Sequence, residues 1–505
     1  MMKKLNACKL GCLALAMLLL MSCGKSSAPS SNMNDQTADR FELTIMANLH
    51  TKEVPDGKIE TIIEELTNTE ITIQWVPDGH YEEKLKTAFA MGTLPQAVYL
   101  KNQGSLAMFK DAIRDDQFWE VGPYLTEFEN LSKLKLNVLQ NTSVDGRIYS
   151  LYQGRSLSRQ GVIYRKDWAD HLELQEPKTT EDLFEMARLF TDNDPDQNGM
   201  NDTIGLADRS DLVYGAFKTV SSYFGTPNNW GLKNGQLLPE FMFEEYIDTM
   251  DFFHELYQNG YINQSFPVAS KTNQLALIKN GTAGIYIGSM GDVLSLYNDA
   301  LALNPDVEFA VTNRIVKPDG KEGIWSIPGY GTVVLFPKTA IKDEAELRKV
   351  LSFFDKLMTH EASNLITWGI EGEHYRVSAE QRADTSIAPY GVKDREVKPY
   401  EALEIGEPGT NGRYEGDFDY EVKERADELV KDNEQVLIDD PTAPLDSKTN
   451  NEKGIGLQNM IDDATYLYIL GEIDEAGFQK AVKSWEKQGG QQVITEFNEA
   501  WMNKR

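Results

Sequence analysis

Residues 194–202 read DPDQNGMND and place oxygen-bearing side chains at alternate positions around one glycine. Asp194, Asp196 and Asn198 occupy positions one, three and five of a cation loop. Gly199 stands at six, where such a loop turns sharply; Met200 at seven offers its backbone carbonyl, and Asp202 follows at nine. A donor set made only of oxygen suits Ca2+, which takes roughly six to eight oxygen ligands. Zn2+ prefers His and Cys, and Mg2+ usually keeps several waters. An Asp/Asn/Gly cluster also suits a solvated turn, because these residues tolerate left-handed φ, but alternation with the glycine in register favours the cation. Position twelve, where an EF-hand supplies a bidentate Glu, is Gly205, so the last ligand is unassigned.

The element that must position this loop is the segment before it. Thr179 is an N-cap with Asp182 three residues on, and Leu183, Met186, Ala187 and Phe190 fall at helical spacing. The segment after it, TIGL at 203–206, is too short for a second long helix. The expectation is a static staple rather than a helix-loop-helix sensor.

The N-terminus carries a different chemistry. MMKKLNACK is followed by an uncharged run from Leu10 to Met21 and then by Leu20-Met21-Ser22-Cys23. That apolar run is shorter than the roughly 20 residues a bilayer span needs, and the pattern is that of a signal peptide over 1–22. A small residue before Cys23, with leucine three positions ahead of it, resembles a bacterial lipobox. In that reading Cys23 is acylated (palmitate among its chains) and anchors the protein to the outer face of the cell membrane. Of the three cysteines, Cys8 and Cys12 leave with the leader, so the exported chain holds neither disulfide nor free thiol. Residues 23–40 are Ser-rich and nearly devoid of apolar side chains, as expected of a flexible tether. Loss of Lys3, Lys4 and Lys9 takes the formal charge from −29 to −32. Such a field repels nucleic acid and anionic membrane surfaces and leaves neutral or cationic ligands favoured, unless a local pocket opposes it. No later run is long enough to cross a membrane.

Along the body, strands at 41–49, 71–76 and 97–100 alternate with helices at 58–66 and 81–91, a β-α-β start that predicts a parallel sheet with ligands near the strands' carboxyl ends. Strands are further expected at 145–151, 284–287 and 325–335, and at 161–168 a strand entering a helix, with helices at 241–257, 272–279, 343–358 and through 459–501. The Pro-, Asp- and Glu-rich segment 381–456 reads as irregular surface. No period of 20 to 50 residues recurs, and two interleaved lobes describe the alternation better than a string of separate domains.

Most of the chain past residue 40 resembles the family 1 extracellular solute-binding lipoproteins of bacterial ABC importers, in particular the large calcium-loop, alginate-binding-protein-like type that takes up oligosaccharides. The resemblance rests on YEEKLKTAFAMGTLPQAV, DGRIYSL, YRKDW with PKTTEDL, DPDQNGMNDTIGL, GTAGIYIG, GIEGEHY, and the ending YILGEID with SWEKQGGQQVITEFNEAW. Departures are Gln96, where an acid commonly follows Leu-Pro, and Glu173, where glycine is usual. It implies an α/β, two-lobed periplasmic-binding-protein fold (type II) with interleaved lobes and a hinge that closes on ligand. Lobe I would comprise 41–155 and 335–400; lobe II would comprise 156–334 and 401–505, with the calcium loop as a structural element away from the sugar cleft.

Sugar clefts stack rings on aromatic faces and hold hydroxyls with a few placed polar groups. Loop aromatics beside glycines are the candidates: Trp230, Tyr286, Tyr330, Trp368 and Tyr375, each weighed against a core role because aromatics dominate cores. Trp119, Trp168 and Trp485 sit in helix or turn contexts and read as core. Polar candidates are His50, Arg155, Glu371 and His374, with Asp167 weaker. Arg155 can fork onto hydroxyls or a uronate carboxylate or pair with a surface acid; His374 reads rather as a hydrogen-bonding group of its own loop. There is no HExxH, GxSxG or GxxxxGK[ST] motif, and carboxylates are too numerous to single out a glycosidase pair.

The expectation is a non-enzymatic, monomeric lipoprotein that captures an oligosaccharide between two lobes and delivers it to an ABC permease, with structural Ca2+ and no nucleic-acid partner. The competing reading is a surface polysaccharide-degrading enzyme or a glycan-binding lipoprotein outside transport.

Overall fold

A β-α-β unit opens the body. The first strand, Phe41–Leu49, pairs in parallel with Thr69–Pro77, residue Phe41 opposite Thr69 and Leu49 opposite Pro77. Between them helix Lys58–Thr67 buries Ile59 and Ile63, one turn apart, and ends at Asn68 in the left-handed region (φ 53) with its N–H on the Glu64 carbonyl. The computed structural model describes residues 40–503, apart from 52, 102, 318, 319 and 390. The leader, Cys23 and nearly all of the Ser-rich tether lie outside the described residues.

Nine strands make the two principal sheets: β1 (Phe41–Leu49), β2 (Thr69–Pro77), β3 (Ala97–Leu100), β4 (Ser150–Gly154), β5 (Gln160–Arg165), β6 (Ile204–Ala207), β7 (Ala283–Ser289), β8 (Phe309–Thr312) and β9 (Tyr330–Leu335). The first sheet runs β2-β1-β3-β9-β4 and the second β8-β5-β7-β6. Neither is wholly parallel. β9 lies antiparallel to both β3 and β4, and β5 lies antiparallel to β7 and β8. Alternation of strands and helices predicts parallel pairing only for strands joined by a local crossover, whereas β9 reaches the first sheet after the whole second sheet has been laid down.

The first sheet and its helices enclose one core, which includes Tyr81, Tyr99, Leu151, Val334, Phe354 and Leu403. The second sheet is buried on both faces. Val162, Ile285 and Ile287 face a helical core with Phe190, Phe253 and Ile461, while Ile163 and Tyr286 face a smaller core with Val293, Leu296 and Leu429. That two-sided burial is why AGIYIGS reads as a continuous apolar run rather than an alternating one. Among the described residues no helix is long and apolar enough to cross a membrane.

Three expectations are corrected. β9 begins at Tyr330 within the first sheet, so a boundary at 334/335 cuts through a strand whose Val333, Val334 and Leu335 pair with β3. Ala402, Leu403 and Ile405 belong to the first core, past the expected limit at 400. The 381–456 segment is not irregular surface: helix Glu421–Asp432 buries Ala426 and Leu429, and Asn433 is fully buried, donating to the carbonyls of Ser158 (3.2 Å) and Gln160 (2.9 Å). Its composition is polar because these few buried positions are separated by solvated ones.

Gly284 shows how tightly the second sheet is packed. A Cβ there would overlap the Phe190 ring and stand 2.7 Å from Trp168 Cε3; these two rings already meet edge to face at 5.4 Å. Gly284→Ala is expected to cost about 1–3 kcal/mol through overpacking, read as a lowered thermal midpoint.

Glu496 joins the last helix to the start of helix Lys448–Ile469, accepting from Ser447 Oγ (2.6 Å), Thr449 N (2.9 Å) and Thr449 Oγ1 (2.8 Å). Burial works against its charge, yet these donors and Gln492 hold the carboxyl down to about 2. A carboxyl depressed in the fold contributes stability that is full above its unfolded value near 4.5 and is lost as pH falls toward 2. Acid unfolding followed from pH 6 to 2 should therefore be shallower in Glu496→Gln, by roughly 1 kcal/mol after allowance for solvent screening.

Candidate functional site: a cleft on the crossovers

The chain passes between the two sheets three times, and the crossing segments lie side by side. Residues 155–159 join β4 to β5, 326–329 lead into β9, and 406–419 return from the first core toward the second sheet. Backbone hydrogen bonds tie them together: Gly154 N–H donates to Gly406 O (2.8 Å), Gly406 N–H to Tyr152 O (2.8 Å), Arg155 N–H to Gly329 O (2.9 Å) and Ile327 N–H to Leu157 O (2.8 Å). Glycine is required at two of these points. Gly406 has φ +74, and a Cβ on Gly154 would stand 2.7 Å from Glu407 Cβ and 2.8 Å from Gly406 O.

Beside the crossovers opens a cavity of about 430 Å³ whose aromatic wall is Tyr214, Trp230 and Trp325. A smaller recess of about 100 Å³ shares Tyr214 and Trp325 and is closed by Ser158, Arg159 and Gln160. Trp325 is fixed by its indole N–H on Thr219 Oγ1 (3.1 Å), and Tyr214 packs against its ring at 5.8 Å while remaining 48 % exposed. Trp230 rests edge-on against Phe497 at 4.9 Å. Below this wall Lys218 donates to Asn229 Oδ1 and Glu240 Oε2, both at 2.7 Å, and Asn229 donates to Asp440 Oδ2 at 2.9 Å. Burial raises the Asp440 carboxyl above its usual range despite donors from Thr442 and Asn229. Apolar faces over a few preorganised polar groups are the arrangement that binds a sugar.

The crossovers also carry guanidiniums. Arg155 and Arg159 stand on the first segment. Arg413, on the third, is paired with Glu404; burial and the nearby Arg155 push its pKa down to about 10.

Of the residues expected to bind ligand, the structure brings only Trp230 to the aromatic wall and Arg155 to the crossovers. His50 lies exposed at the end of β1, its Nδ1 3.1 Å from Asn48 Nδ2. Trp368, Glu371 and Tyr375 gather elsewhere. Glu371 and Tyr375 line a separate cavity of about 270 Å³ with His360 and Tyr414. Trp368 donates to Tyr414 O (3.0 Å), with Lys393 4.2 Å above its ring. Burial pushes the Tyr375 hydroxyl up to about 12.

Two aromatics are corrected to the core. Tyr286 is 1 % exposed and donates to Asp292 Oδ2 (2.7 Å), because its position on β7 points it into the smaller core. Tyr330 is 6 % exposed, its body in the first core and its edge on a different cavity of about 520 Å³ with Lys110, Asn141 and Asp446. Asp167 is bound by Arg165 (Oδ1 to Nε, 2.7 Å).

Glu373, His374 and Glu396 are the one group of three His, Cys, Asp or Glu ligand atoms within 4.8 Å among the described residues. Their chemistry does not suit a metal. Ile370 N–H donates to His374 Nδ1 (3.0 Å), so the proton of the neutral ring is on Nε2, facing Glu396 at 3.3 Å, and no lone pair is left there. Lys58 and Arg395 already hold the two carboxylates. His374 locks its own loop.

The oxygen-rich loop follows helix Thr180–Asp192, which starts with the expected Thr179–Asp182 capping box. Its carboxylates converge on nitrogen donors. Asn198 Nδ2 lies 2.8 Å from Asp196 Oδ2 and 3.1 Å from Asp202 Oδ1, and Gly199 N–H donates to Asp194 Oδ2 (3.0 Å). Desolvation first, then the charges of Asp202 and Asp194, raise the Asp196 carboxyl. Three carboxylates drawn together around partial positive charge fit a bound cation, which would relieve their repulsion. Gly205 cannot be the Glu of an EF-hand, since a Cβ there would overlap the Ala187 backbone.

Tyr214, Trp325, Arg159 and Arg413 were not singled out from sequence. Tyr214 precedes a glycine and Trp325 opens a Gly/Pro turn, the same signal that marked Trp230. Arg413 gave none, lying in a segment read as surface.

A family described as bacterial extracellular solute-binding protein matches residues 53–363. The chain is 40 % identical over 483 residues, 96 % of each chain, to the polygalacturonan/rhamnogalacturonan-binding protein YtcQ of Bacillus subtilis, and 31 % identical over 505 residues, 98 % of each, to lipoprotein LipO of the same organism. Among solved structures, a human-milk-oligosaccharide (HMO) binding, ABC-transporter-associated solute-binding protein from Bifidobacterium longum infantis superposes with TM-score 0.71 at 15 % identity, covering 92 % of this chain and 99 % of that one. The alginate-binding protein AlgQ2 without calcium ion gives 0.65 at 14 %, covering 92 % and 98 %. With two sheets joined by hydrogen-bonded crossovers and a match over most of its length, the chain belongs to the bacterial extracellular solute-binding protein family.

Proposed function

We propose that this protein captures an extracellular oligosaccharide in the cleft beside its crossovers and delivers it, intact, to an ABC permease while held at the membrane by acylated Cys23. The observation that carries this reading is the wall of Tyr214, Trp230 and Trp325 over fixed polar groups, next to the hydrogen-bonded crossovers. Sugar rings stack on the wall, and closure excludes water from the hydroxyls' hydrogen bonds. The likeness to YtcQ supports pectic fragments as the ligand class, and the name of LipO supports the lipid anchor. Lobe I is then 41–154 with 330–405, and lobe II 160–325 with 420–503; the three crossovers are the hinge. Of the expected ligand residues, Trp230 and Arg155 remain in this site. His50, Trp368, Glu371 and Tyr375 lie apart from it on lobe I.

Asp194, Asp196, Asn198, Asp202 and the Met200 carbonyl would hold Ca2+ as a structural ion. It supplies charge neutralisation to the loop and takes no part in ligand contact.

A thermal-shift panel of oligosaccharides on the full chain in detergent tests the reading. A ligand present at 100 times its dissociation constant adds roughly 2.7 kcal/mol and is recovered uncleaved; release of reducing ends would instead make the protein an enzyme. Tyr214→Ala, at an exposed wall position, should weaken that ligand about tenfold, or about 1.4 kcal/mol, with the unliganded midpoint unchanged. Separately, calcium is expected to raise the midpoint, and the double change Asp194→Ala, Asp196→Ala should abolish its calcium dependence. A wild-type midpoint indifferent to chelator sinks the structural-calcium reading.

A further inference from the structure

Among the described residues, every arginine from Arg114 to Arg425 has a carboxylate within 4.0 Å except two. The two are Arg155 and Arg159, on the same crossover. In a chain with 79 acidic and 50 basic residues, two neighbouring guanidiniums with no carboxylate within 4.0 Å among the described residues are left free to meet an anion.

We propose that Arg155 and Arg159 read carboxylates of the ligand, so that the cleft selects oligosaccharides bearing uronate groups over neutral ones of the same size. This rests on the proposed capture of an oligosaccharide and names the residues that choose its class.

The surroundings are built for it. The Arg155 side chain lies against β9 where Gly331 leaves room: a Cβ at 331 would stand 3.2 Å from Arg155 Cγ and 2.5 Å from its Nε. Its backbone is anchored to Gly329 O at 2.9 Å, and its one side-chain partner is a long contact, Nη2 to Gln153 Oε1 at 3.5 Å. Burial first, and then the charge of Arg159, disfavour the Arg155 cation, while the charge of Glu401 favours it. Arg413 stands behind, its charge already met by Glu404. Arg159 closes the recess shared with Tyr214 and Trp325, so a carboxylate held there leaves its sugar ring beside the aromatic wall. Guanidinium forks carboxylate with two parallel hydrogen bonds. Two such forks on the segment joining β4 to β5 overcome locally the repulsion that the acidic chain exerts on an anion, and they attach the ligand to the hinge itself.

Calorimetric titration of the full chain in detergent with trigalacturonate, its methyl ester and neutral galactotriose tests the assignment. Trigalacturonate should bind at least 100-fold tighter than the other two, with an advantage that shrinks as salt rises. Arg155→Gln and Arg159→Gln should each cost tenfold or more for trigalacturonate and clearly less for the methyl ester, and Arg155→Lys should fall between. Equal affinity for acid and ester, or equal losses on both in the variants, overturns the assignment while oligosaccharide capture stands. If galactotriose binds best, the same conclusion follows. If none of the three binds and the wider panel shifts nothing, capture and assignment fall together.

Discussion

Three peptide segments must pass between two sheets, and each brings backbone groups that need partners wherever water is excluded. They satisfy one another: the 152–157 stretch gives and receives hydrogen bonds with residues 406, 327 and 329. That mutual satisfaction holds the segments in register without a side chain, and it demands glycine where the backbones approach. A hinge made this way is thin enough to bend and too fully bonded to come apart, which suits rigid-body motion of two well-packed cores.

Side chains mounted on the crossovers stand where the chain passes from one sheet to the other. Arg155 and Arg159 gain their position from this, as Trp325 does from the segment before β9. The polar floor, by contrast, belongs to one lobe. Lys218, Asn229, Glu240 and Asp440 satisfy one another before any ligand arrives, so their charges cost little further reorganisation when the cleft closes. The aromatic wall and the fixed floor supply contact; the unpaired guanidiniums on the hinge supply choice.

Elsewhere ion pairs reach across the molecule. Lys110 and Arg114, on the helix after β3, meet Asp446 at 3.3 and 2.8 Å, and Lys135 lies 3.7 Å from Glu434. Such half-exposed pairs contribute little individually, but they join groups more than 290 positions apart in sequence and so favour one mutual arrangement of the lobes. The oxygen-rich loop acts locally instead: it closes the turn between helix Thr180–Asp192 and β6, where Gly205 must pass close to the Ala187 backbone.

The sequence by itself determined the elements and the local motifs. The opening β-α-β unit, the capping box at Thr179 and the alternating oxygen loop all follow from residues within one or two turns of each other, because capping, periodicity and turn chemistry act over that range. Family resemblance then carried the two-lobed architecture. Tertiary structure alone decided which aromatics face the cleft. Tyr286 shares the glycine-flanked setting of Trp230, yet strand register turns it into a core, while the exposed Tyr214 and the largely buried Trp325, 111 positions apart, come together on one cavity. It also decided which charges are unpaired. Arg165 finds Asp167 two residues along the chain, a pairing its sequence neighbourhood offers, whereas Arg114 finds Asp446 and Arg382 finds Glu424 only through the fold; among the described residues Arg159 meets no carboxylate by either route.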